Sequence, residues 1–462
     1  MPLVQPWRRD GGGVGEGVLM AGQGGSGAAG QAALLADAGI VVSRDGLTMA
    51  GVPLARIARE VGTPAFVYNA EVIRRQYRAL ESAFATIPHR ICYAVKANSN
   101  LAVLRLMHDL GAGADLVSAG EMRRAVAAGF AVESLVFSGV GKTVAELEET
   151  VSAGVGQVNV ESLEELKLLG AIAARLDRVI SVGIRVNPEV TTDTHPYIST
   201  SHGGIKFGVP HDQVAAAAAY IREHPYLRLT TMAMHLGSQL LDPAPYAEAL
   251  GKLVGLVRDL RAAGTTTLGA LDIGGGLGIR YQPDAGPGLD PGALAAVVGP
   301  LAAQVGLPVA MEPGRFLVGS AGVLLTEVLY RKHSGGRDFV IVDAAMNDLL
   351  RPSLYHAHHD IVEVVPAGRP TTTVDVVGPI CETGDFLALE RTLPRVEPGE
   401  RLAVLCAGAY GFVMSSNYNT RGRVVEVLVD GGRSAVVRPR EPVDSLFASE
   451  IVDPFATLSD NG

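Results

Sequence analysis

The chain has 462 residues, of which 48% are hydrophobic and 19% are charged, and its formal net charge at pH 7 is -9. This length and composition predict a globular protein with enough apolar residues for two well-packed domains. The acidic balance and the lack of an arginine and lysine block argue against nucleic-acid binding, and no apolar run reaches the length of about 20 residues that spans a membrane.

Glycine dominates residues 1–36 at the amino terminus. Because such a composition neither buries a core nor sustains a helix, we expect this extension to be disordered. No apolar segment of adequate length follows Arg8 and Arg9, which argues against a signal peptide. Met20 is an alternative start of the chain.

From residue 63 onward, strand-like apolar runs alternate with helix-period segments, which is the pattern of parallel βα units. Eight such runs predict a closed (β/α)8 barrel of the TIM type over residues 63–316, with an open doubly wound sheet as the competing architecture. The predicted strands are residues 91–95, 114–118, 135–138, 157–161, 181–187, 231–236, 270–273 and 308–312.

After residue 316 the pattern changes to β-branched alternation, interrupted by Gly, Pro and Asp turns. This change predicts a second, mainly β domain over residues 317–462. Residues 37–62 also look strand-like, and we expect them to join it. The predicted fold is therefore an α/β barrel inserted between the two halves of a β-domain that is built from both chain ends.

Cysteine and histidine usage indicates neither a disulfide framework nor a metal site. The chain has three cysteines, Cys92, Cys381 and Cys406. They fit no disulfide, zinc or redox motif, so the expected compartment is the reducing cytoplasm. Three histidines resemble a metal cluster by count but lack the carboxylate and helix context of one: His356, His358 and His359.

Chemically versatile residues follow several predicted barrel strands, at the end where such barrels carry active sites. Lys96 supplies an amine that can form an imine, and His235 supplies a flat ring. The triplet Gly274, Gly275 and Gly276 leaves backbone N–H groups open to a phosphate. Taken singly, these residues are also explained as a solvated lysine, a structural histidine and a tight turn.

Residues near the last barrel strands complete the pattern. Ser238 can add a hydroxyl to the same phosphate. Glu312 suits a pyridine nitrogen, because a carboxylate there keeps the nitrogen protonated, and Arg315 suits a substrate carboxylate. A Glu and an Arg at this spacing also form simple ion pairs, but together with Lys96 and the glycines they describe a pyridoxal phosphate site.

The predicted β-domain carries further candidates. Cys381 and Glu382 place a thiol beside a carboxylate in a glycine-containing loop, where the thiol can hand over a proton, although a cysteine after such a strand is more often a small buried hydrophobe. Tyr410 lies in a flexible turn, and Arg351 and Tyr355 can complete a pocket for an anionic substrate.

These motifs resemble those of the diaminopimelate decarboxylases, pyridoxal-phosphate enzymes of fold type III, which have an alanine-racemase-like barrel. The resemblance covers roughly residues 39–454. It rests on motifs that occur in order along the chain: residues 93–98, 195–198, 206–208, 235–239, 274–276, 312–315 and 381–385.

The resemblance implies a role for each candidate. Lys96 would hold the cofactor covalently, and catalysis would use Lys96, His235 and Cys381, with Cys381 donating a proton across a head-to-tail homodimer interface. The cofactor-binding residues would be Lys96, His235, Ser238, Gly274, Gly275, Gly276, Glu312, Gly314, Arg315 and Tyr410. The substrate-binding residues would be Arg315, Arg351, Tyr355, Glu382 and Tyr410.

The implied reaction is the decarboxylation of meso-2,6-diaminopimelate to L-lysine and CO2, the last step of lysine biosynthesis. Ornithine and arginine decarboxylases share these elements, but a diamine-forming enzyme would place acids near the distal amine, whereas this chain offers Arg315 and Arg351. A carboxylated substrate of secondary metabolism and an alanine-racemase-like activity are further alternatives. An inactive partner-binding paralogue is the non-enzymatic alternative, and the presence of Lys96 and Cys381 argues against it.

Overall fold

The computed structural model of the chain describes residues 24–190 and 206–455. The motif at residues 195–198 and the glycine-rich residues 1–23 lie outside the described residues.

Eight parallel strands form a closed barrel, which confirms the predicted fold and excludes the open sheet. The eighth strand pairs with the first, with Val309 opposite His89, and this pairing closes the barrel. All eight predicted strands are present with bounds shifted by a few residues. In chain order they are His89–Ala94, Gly113–Leu116, Leu135–Phe137, Gln157–Val160, Ile180–Arg185, Leu227–Ala233, Ala270–Asp272 and Val309–Met311.

Helices surround the barrel, and polar caps define where several of them begin. Thr143 forms a reciprocal capping box with Glu146, and the Ser118 and Ser162 side chains accept hydrogen bonds from backbone N–H groups three residues later. These caps place each helix start directly after a strand-end loop. The barrel helices are Ala70–Ala83, Leu101–Asp109, Ala119–Ala128, Val144–Ala153, Leu163–Arg175, Val214–Glu223, Ala244–Ala262 and Pro291–Ala303.

A nine-stranded sheet forms the second domain, and both chain ends contribute to it. Its longest strand, Gly322–Ser334, pairs with Ala65–Asn69, which in turn lies parallel to Val425–Asp430. The expected barrel range of residues 63–316 therefore began too early, because a fully buried strand such as Ala65–Asn69 has the same sequence pattern in either sheet. The other strands are Arg337–Val342, Ile361–Glu363, Thr371–Val377, Phe386–Pro394, Arg401–Val404 and Arg433–Arg438, and two short helices, Arg315–Val318 and Arg351–Tyr355, accompany them.

Residues 37–62 form a small sheet of their own instead of adding strands to the large one. It comprises Ile40–Ser43, Gly46–Met49 and Val52–Pro53, and the helix Leu54–Val61 follows. Backbone hydrogen bonds still attach this segment to the β-domain, from the Leu47 N–H to the Val364 carbonyl at 2.8 Å and from the Gly432 N–H to the Ala50 carbonyl at 2.8 Å.

The amino-terminal helix Gly24–Asp37 contradicts, for residues 24–36, the expectation that residues 1–36 are disordered. Leu34 is fully buried, and a Cβ on Gly30 would lie 1.7 Å from the Pro283 carbonyl oxygen. Gln31 Nε2 donates to Asp360 Oδ2 at 3.0 Å. The glycine content misled the prediction because alanine and leucine dominate the last turns of this helix, and glycine permits the close contact with Pro283.

Candidate active site

Lys96 lies at the carboxyl end of the first barrel strand, on the short 3-10 turn Val95–Ala97. Its Nζ forms an ion pair with Oδ2 of Asp115, a fully buried residue of the second strand that lies opposite Ala94. Burial by itself would lower the pKa of Lys96, but the Asp115 and Glu312 carboxylates outweigh it and raise that pKa. The amine is thus held charged at the barrel mouth, with about a third of its side chain exposed (34%).

Asp115 was not among the residues predicted from sequence. The one available signal was an acidic residue within two positions of the end of an otherwise apolar strand, Gly113–Leu116. Burying a carboxylate inside a barrel lowers the stability of the fold unless the carboxylate has a partner. An acidic residue at such a position therefore indicates a paired or functional carboxylate. Its Oδ1 has no hydrogen-bond partner among the described residues.

Glu312 follows the eighth strand and lies near two further carboxylates. Burial raises the pKa of Glu312 well above its usual range, and the nearby carboxylates of Asp115 and Asp272 raise it further. Its Oε1 is buried and has no hydrogen-bond partner in the described part of the chain. A cationic group, such as a protonated pyridine nitrogen, fits beside this unpartnered oxygen.

His235 follows the sixth strand and packs against the glycine turn. The Gly275 N–H donates to His235 Nδ1 at 3.2 Å. Burial lowers the pKa of His235 well below its usual value, and the nearby Arg185 and Lys96 charges act in the same direction. The ring is therefore neutral, with its proton on Nε2, and it is suited to contact a flat cofactor.

The glycine turn after the seventh strand has no room for side chains. A Cβ on Gly275 would lie 2.2 Å from the Glu312 carbonyl oxygen, and Gly276 has a φ of 96°. The Gly276 N–H donates to no acceptor among the described residues. Exposed backbone N–H groups of this kind suit a phosphate.

Ser238 and Arg315 are in direct contact near this turn. Ser238 Oγ accepts hydrogen bonds from Arg315 Nη2 at 2.7 Å and from Nε at 3.2 Å. Gly314 brings the loop close to the Lys96 turn, since a Cβ at this position would lie 2.8 Å from Ala97 Cβ. The Gly276 N–H and the Ser238 hydroxyl match the requirements of a phosphate group, and Arg315 adds a guanidinium beside them.

Two buried arginines contact Tyr281, a residue that sequence patterns did not single out. Arg315 Nη1 donates to the Tyr281 hydroxyl at 2.6 Å, and the Arg351 guanidinium lies 4.8 Å from the centre of the Tyr281 ring. Tyr355, at the end of the helix Arg351–Tyr355, is close enough to both arginines to influence their pKa values.

His359 holds Arg351 by a hydrogen bond. Its Nδ1 bonds to the Leu405 carbonyl at 2.8 Å, which leaves Nε2 to accept from Arg351 Nε at 3.2 Å. Among the described residues, no group of three or more His, Cys, Asp or Glu side chains is arranged to hold a metal ion.

Tyr410 connects the β-domain to the barrel mouth. Its N–H donates to the Ala97 carbonyl at 2.8 Å, and its ring lies 4.9 Å from the Arg315 guanidinium. The structure therefore brings Tyr410, from the second domain, together with the predicted barrel residues around Lys96.

Cys381 and Glu382 form no hydrogen bond with these barrel-mouth residues among the described residues of one chain. Both are exposed, and their hydrogen bonds remain within the β-domain. The Asn419 amide donates to Cys381 Sγ at 3.2 Å, and the Tyr418 hydroxyl donates to Glu382. Tyr418 and Asn419 are two further residues that sequence reasoning did not identify.

No helix among the described residues has the length and apolar character needed to span a membrane.

Comparisons with known proteins agree with this geometry. Residues 70–319 match the family model of the pyridoxal-dependent decarboxylase, pyridoxal binding domain. The chain is 50% identical to diaminopimelate decarboxylase of Pseudomonas aeruginosa, over 87% of this chain and 96% of the relative. It is 46% identical to that of Aquifex aeolicus, over 87% and 95%.

A solved structure gives the same result. Diaminopimelate decarboxylase of Helicobacter pylori, crystallised with L-lysine, has a TM-score of 0.82 and 38% identity, over 85% of this chain and 98% of that one. The chain therefore belongs to the pyridoxal-dependent decarboxylases and, within them, to the diaminopimelate decarboxylase family.

Proposed function

We propose that the chain converts meso-2,6-diaminopimelate into L-lysine and CO2 by removing the carboxylate at the D-configured centre, with pyridoxal phosphate as cofactor. The observation that carries this proposal is the pair of buried arginines, Arg315 and Arg351, which have no carboxylate partner among the described residues. The substrate has a second amino-acid head group, and its carboxylate supplies the anion that this pair lacks.

The cofactor-binding residues follow from the geometry around Lys96. Pyridoxal phosphate, when bound, supplies an aldehyde that reacts with amines and a ring that withdraws electrons from the bond being broken. Lys96 would provide the amine that holds this aldehyde, and Asp115, in contact with Nζ, orients the Lys96 side chain. Glu312 would hold a proton on the ring nitrogen, which its unpartnered Oε1 supports.

The remaining barrel-mouth residues orient and enclose the reactants. His235 would contact the cofactor ring, and Ser238 and Gly276 would hold the phosphate, while Arg315, bonded to Ser238, would face the substrate carboxylate. Arg351, Tyr355 and Tyr410 line the substrate side. Fixing the substrate at both ends aligns the bond to the departing carboxylate, and this alignment lowers the entropic part of the barrier.

We further propose that the active unit is a homodimer in the cytoplasm, with each active site completed by Cys381 and Glu382 of the partner subunit. The support is that both side chains are exposed and that, within the described part of one chain, they bond to Asn419 and Tyr418 and not to the residues around Lys96. The Cys381 thiol donates the proton that replaces CO2 on the substrate carbon, and Glu382 binds the substrate amine. All three cysteines are free thiols, as a reducing compartment requires.

Substrate selectivity tests the proposed reaction. The holoenzyme should release CO2 from meso-diaminopimelate with a kcat/KM about 10⁴-fold above that for ornithine or arginine, since neither offers a carboxylate at the distal end to the arginine pair. The measurement is CO2 release from each substrate at equal enzyme concentration. Faster release from ornithine or arginine would indicate a diamine-forming decarboxylase instead.

A Glu312→Gln variant tests the role of this carboxylate. We expect kcat to fall about 10²-fold to 10³-fold, because a neutral amide does not keep the pyridine nitrogen protonated. The visible absorbance of the cofactor on Lys96 should remain. Glu164→Gln, on the exposed face of the helix Leu163–Arg175, is the matched control and should leave kcat unchanged. An unaltered kcat in Glu312→Gln would rule out this role.

The apo form of the same variant should not lose stability. The pKa of Glu312 is raised by burial and by the Asp115 and Asp272 carboxylates, so the folded protein favours the uncharged side chain. An amide satisfies that preference at every pH. A thermal melt of the apo proteins separates a loss of folding from a loss of catalysis.

A further inference from the structure

Tyr281 is in contact with both buried arginines of the barrel mouth. Its hydroxyl accepts from Arg315 Nη1 at 2.6 Å, and its ring centre lies 5.6 Å from the Arg315 guanidinium and 4.8 Å from that of Arg351. Only 8% of Tyr281 is exposed. The phenol therefore fixes Arg315 by a directed hydrogen bond and holds Arg351 against its ring face.

The charges in this region explain why such a residue is needed. Arg315 and Arg351 are 5% and 6% exposed, and each lowers the stability of the other's charge by repulsion. Neither has a carboxylate partner in the described part of the chain. The negative face of an aromatic ring partly offsets two neighbouring cations without neutralising them, so both remain available to an incoming anion.

We propose that Tyr281 is a positioning residue that holds Arg315 and Arg351 as one binding site for the distal carboxylate of the substrate. This inference rests on the proposed function. A carboxylate has two oxygens and accepts donors from two guanidinium groups only when these are held at a fixed separation. Tyr281 sets that separation, while His359, a neutral acceptor, holds Arg351 on its other side.

The hydroxyl and the ring make separable contributions. Tyr281→Phe keeps the ring under Arg351 and removes the acceptor of Arg315. Tyr281→Leu removes both. In the holoenzyme we expect KM for meso-diaminopimelate to rise about 10-fold in Tyr281→Phe and about 10²-fold in Tyr281→Leu, with kcat within about 3-fold of the wild type in Tyr281→Phe.

Inhibition by two amines distinguishes positioning from a general structural role. L-lysine retains one carboxylate for the arginine pair, whereas cadaverine has the same carbon chain and no carboxylate. The inhibition constant of L-lysine should rise about 10-fold in Tyr281→Phe, in parallel with KM, and that of cadaverine should stay unchanged. Tyr220→Phe, on the outer helix Val214–Glu223, is the matched control.

The outcomes separate this inference from the proposed function. Equal changes for L-lysine and cadaverine, a fall in kcat without a change in KM, or no change at all would overturn the role of Tyr281. A wild type that releases no CO2 from meso-diaminopimelate would contradict the proposed function alone. The role of Tyr281 can still be tested in that case, because the visible spectrum of the holoenzyme reports the binding of L-lysine and cadaverine. If Tyr281→Leu does not fold, Tyr281→Phe decides.

Discussion

The Lys96→Ala variant is expected to lose the visible absorbance of the bound cofactor and at least about 10³-fold in turnover. The reason is chemical: Lys96 is the amine at the barrel mouth to which the aldehyde would attach, and its charge is stabilised by the Asp115 and Glu312 carboxylates. The measurements are a visible spectrum with and without borohydride and the release of CO2 from meso-diaminopimelate. Lys167→Ala, an exposed residue of the helix Leu163–Arg175, is the control.

Stability must be measured beside activity, since the same substitution leaves the buried Asp115 without its cation. We expect apo Lys96→Ala to be destabilised by up to about 3 kcal/mol, because an unpaired buried charge is costly. Adding Asp115→Asn should recover much of this free energy of unfolding but none of the turnover. Retained CO2 release in a folded Lys96→Ala protein would refute the assignment of Lys96.

Mixing two inactive variants should restore activity. Cys381→Ala alone is expected to lower turnover about 10²-fold to 10⁴-fold, as the loss of a proton donor does. When Lys96→Ala and Cys381→Ala subunits exchange freely, half of the dimers are mixed, and each mixed dimer has one site with an intact Lys96 and an intact partner Cys381. Activity should therefore return to about a quarter of the wild-type value.

The control for this experiment pairs two substitutions on the same side of the site. Mixing Lys96→Ala with Glu312→Gln should give no gain, because both residues lie at one barrel mouth and no mixed dimer contains an intact set. Two affinity tags show that mixed dimers have formed. If Lys96→Ala and Cys381→Ala subunits form mixed dimers that have no activity, Cys381 acts within its own chain or not at all.

The barrel was predictable because its strands are short apolar runs between helices with recognisable caps. The strand Ala65–Asn69 shows the limit of this approach, since its fully buried pattern fits either sheet and only pairing with Gly322–Ser334 assigns it. The helix Gly24–Asp37 was not predicted because the glycine content of residues 1–36 was given more weight than the alanine and leucine residues of this segment.

The strand-end residues of the site were predictable for the same reason, as parallel strands end together. Lys96, His235, the glycine turn and Glu312 meet at one end of the barrel. Asp115 and Tyr281 were not predictable in this way. Their importance depends on strand register and on side chains that approach from distant loops, and a single sequence encodes neither explicitly.

The amino-terminal helix affects how the protein should be produced. It contacts the chain neighbours of two residues that hold the arginine pair: Gln31 bonds to Asp360, next to His359, and Asp37 lies 3.4 Å from Arg280, next to Tyr281. An expression variant that starts at Met20 keeps these contacts. A variant that starts after residue 37, or one that is cleaved there, loses them. We expect a protein shortened in this way to bind a dicarboxylic amino acid less tightly than the full chain.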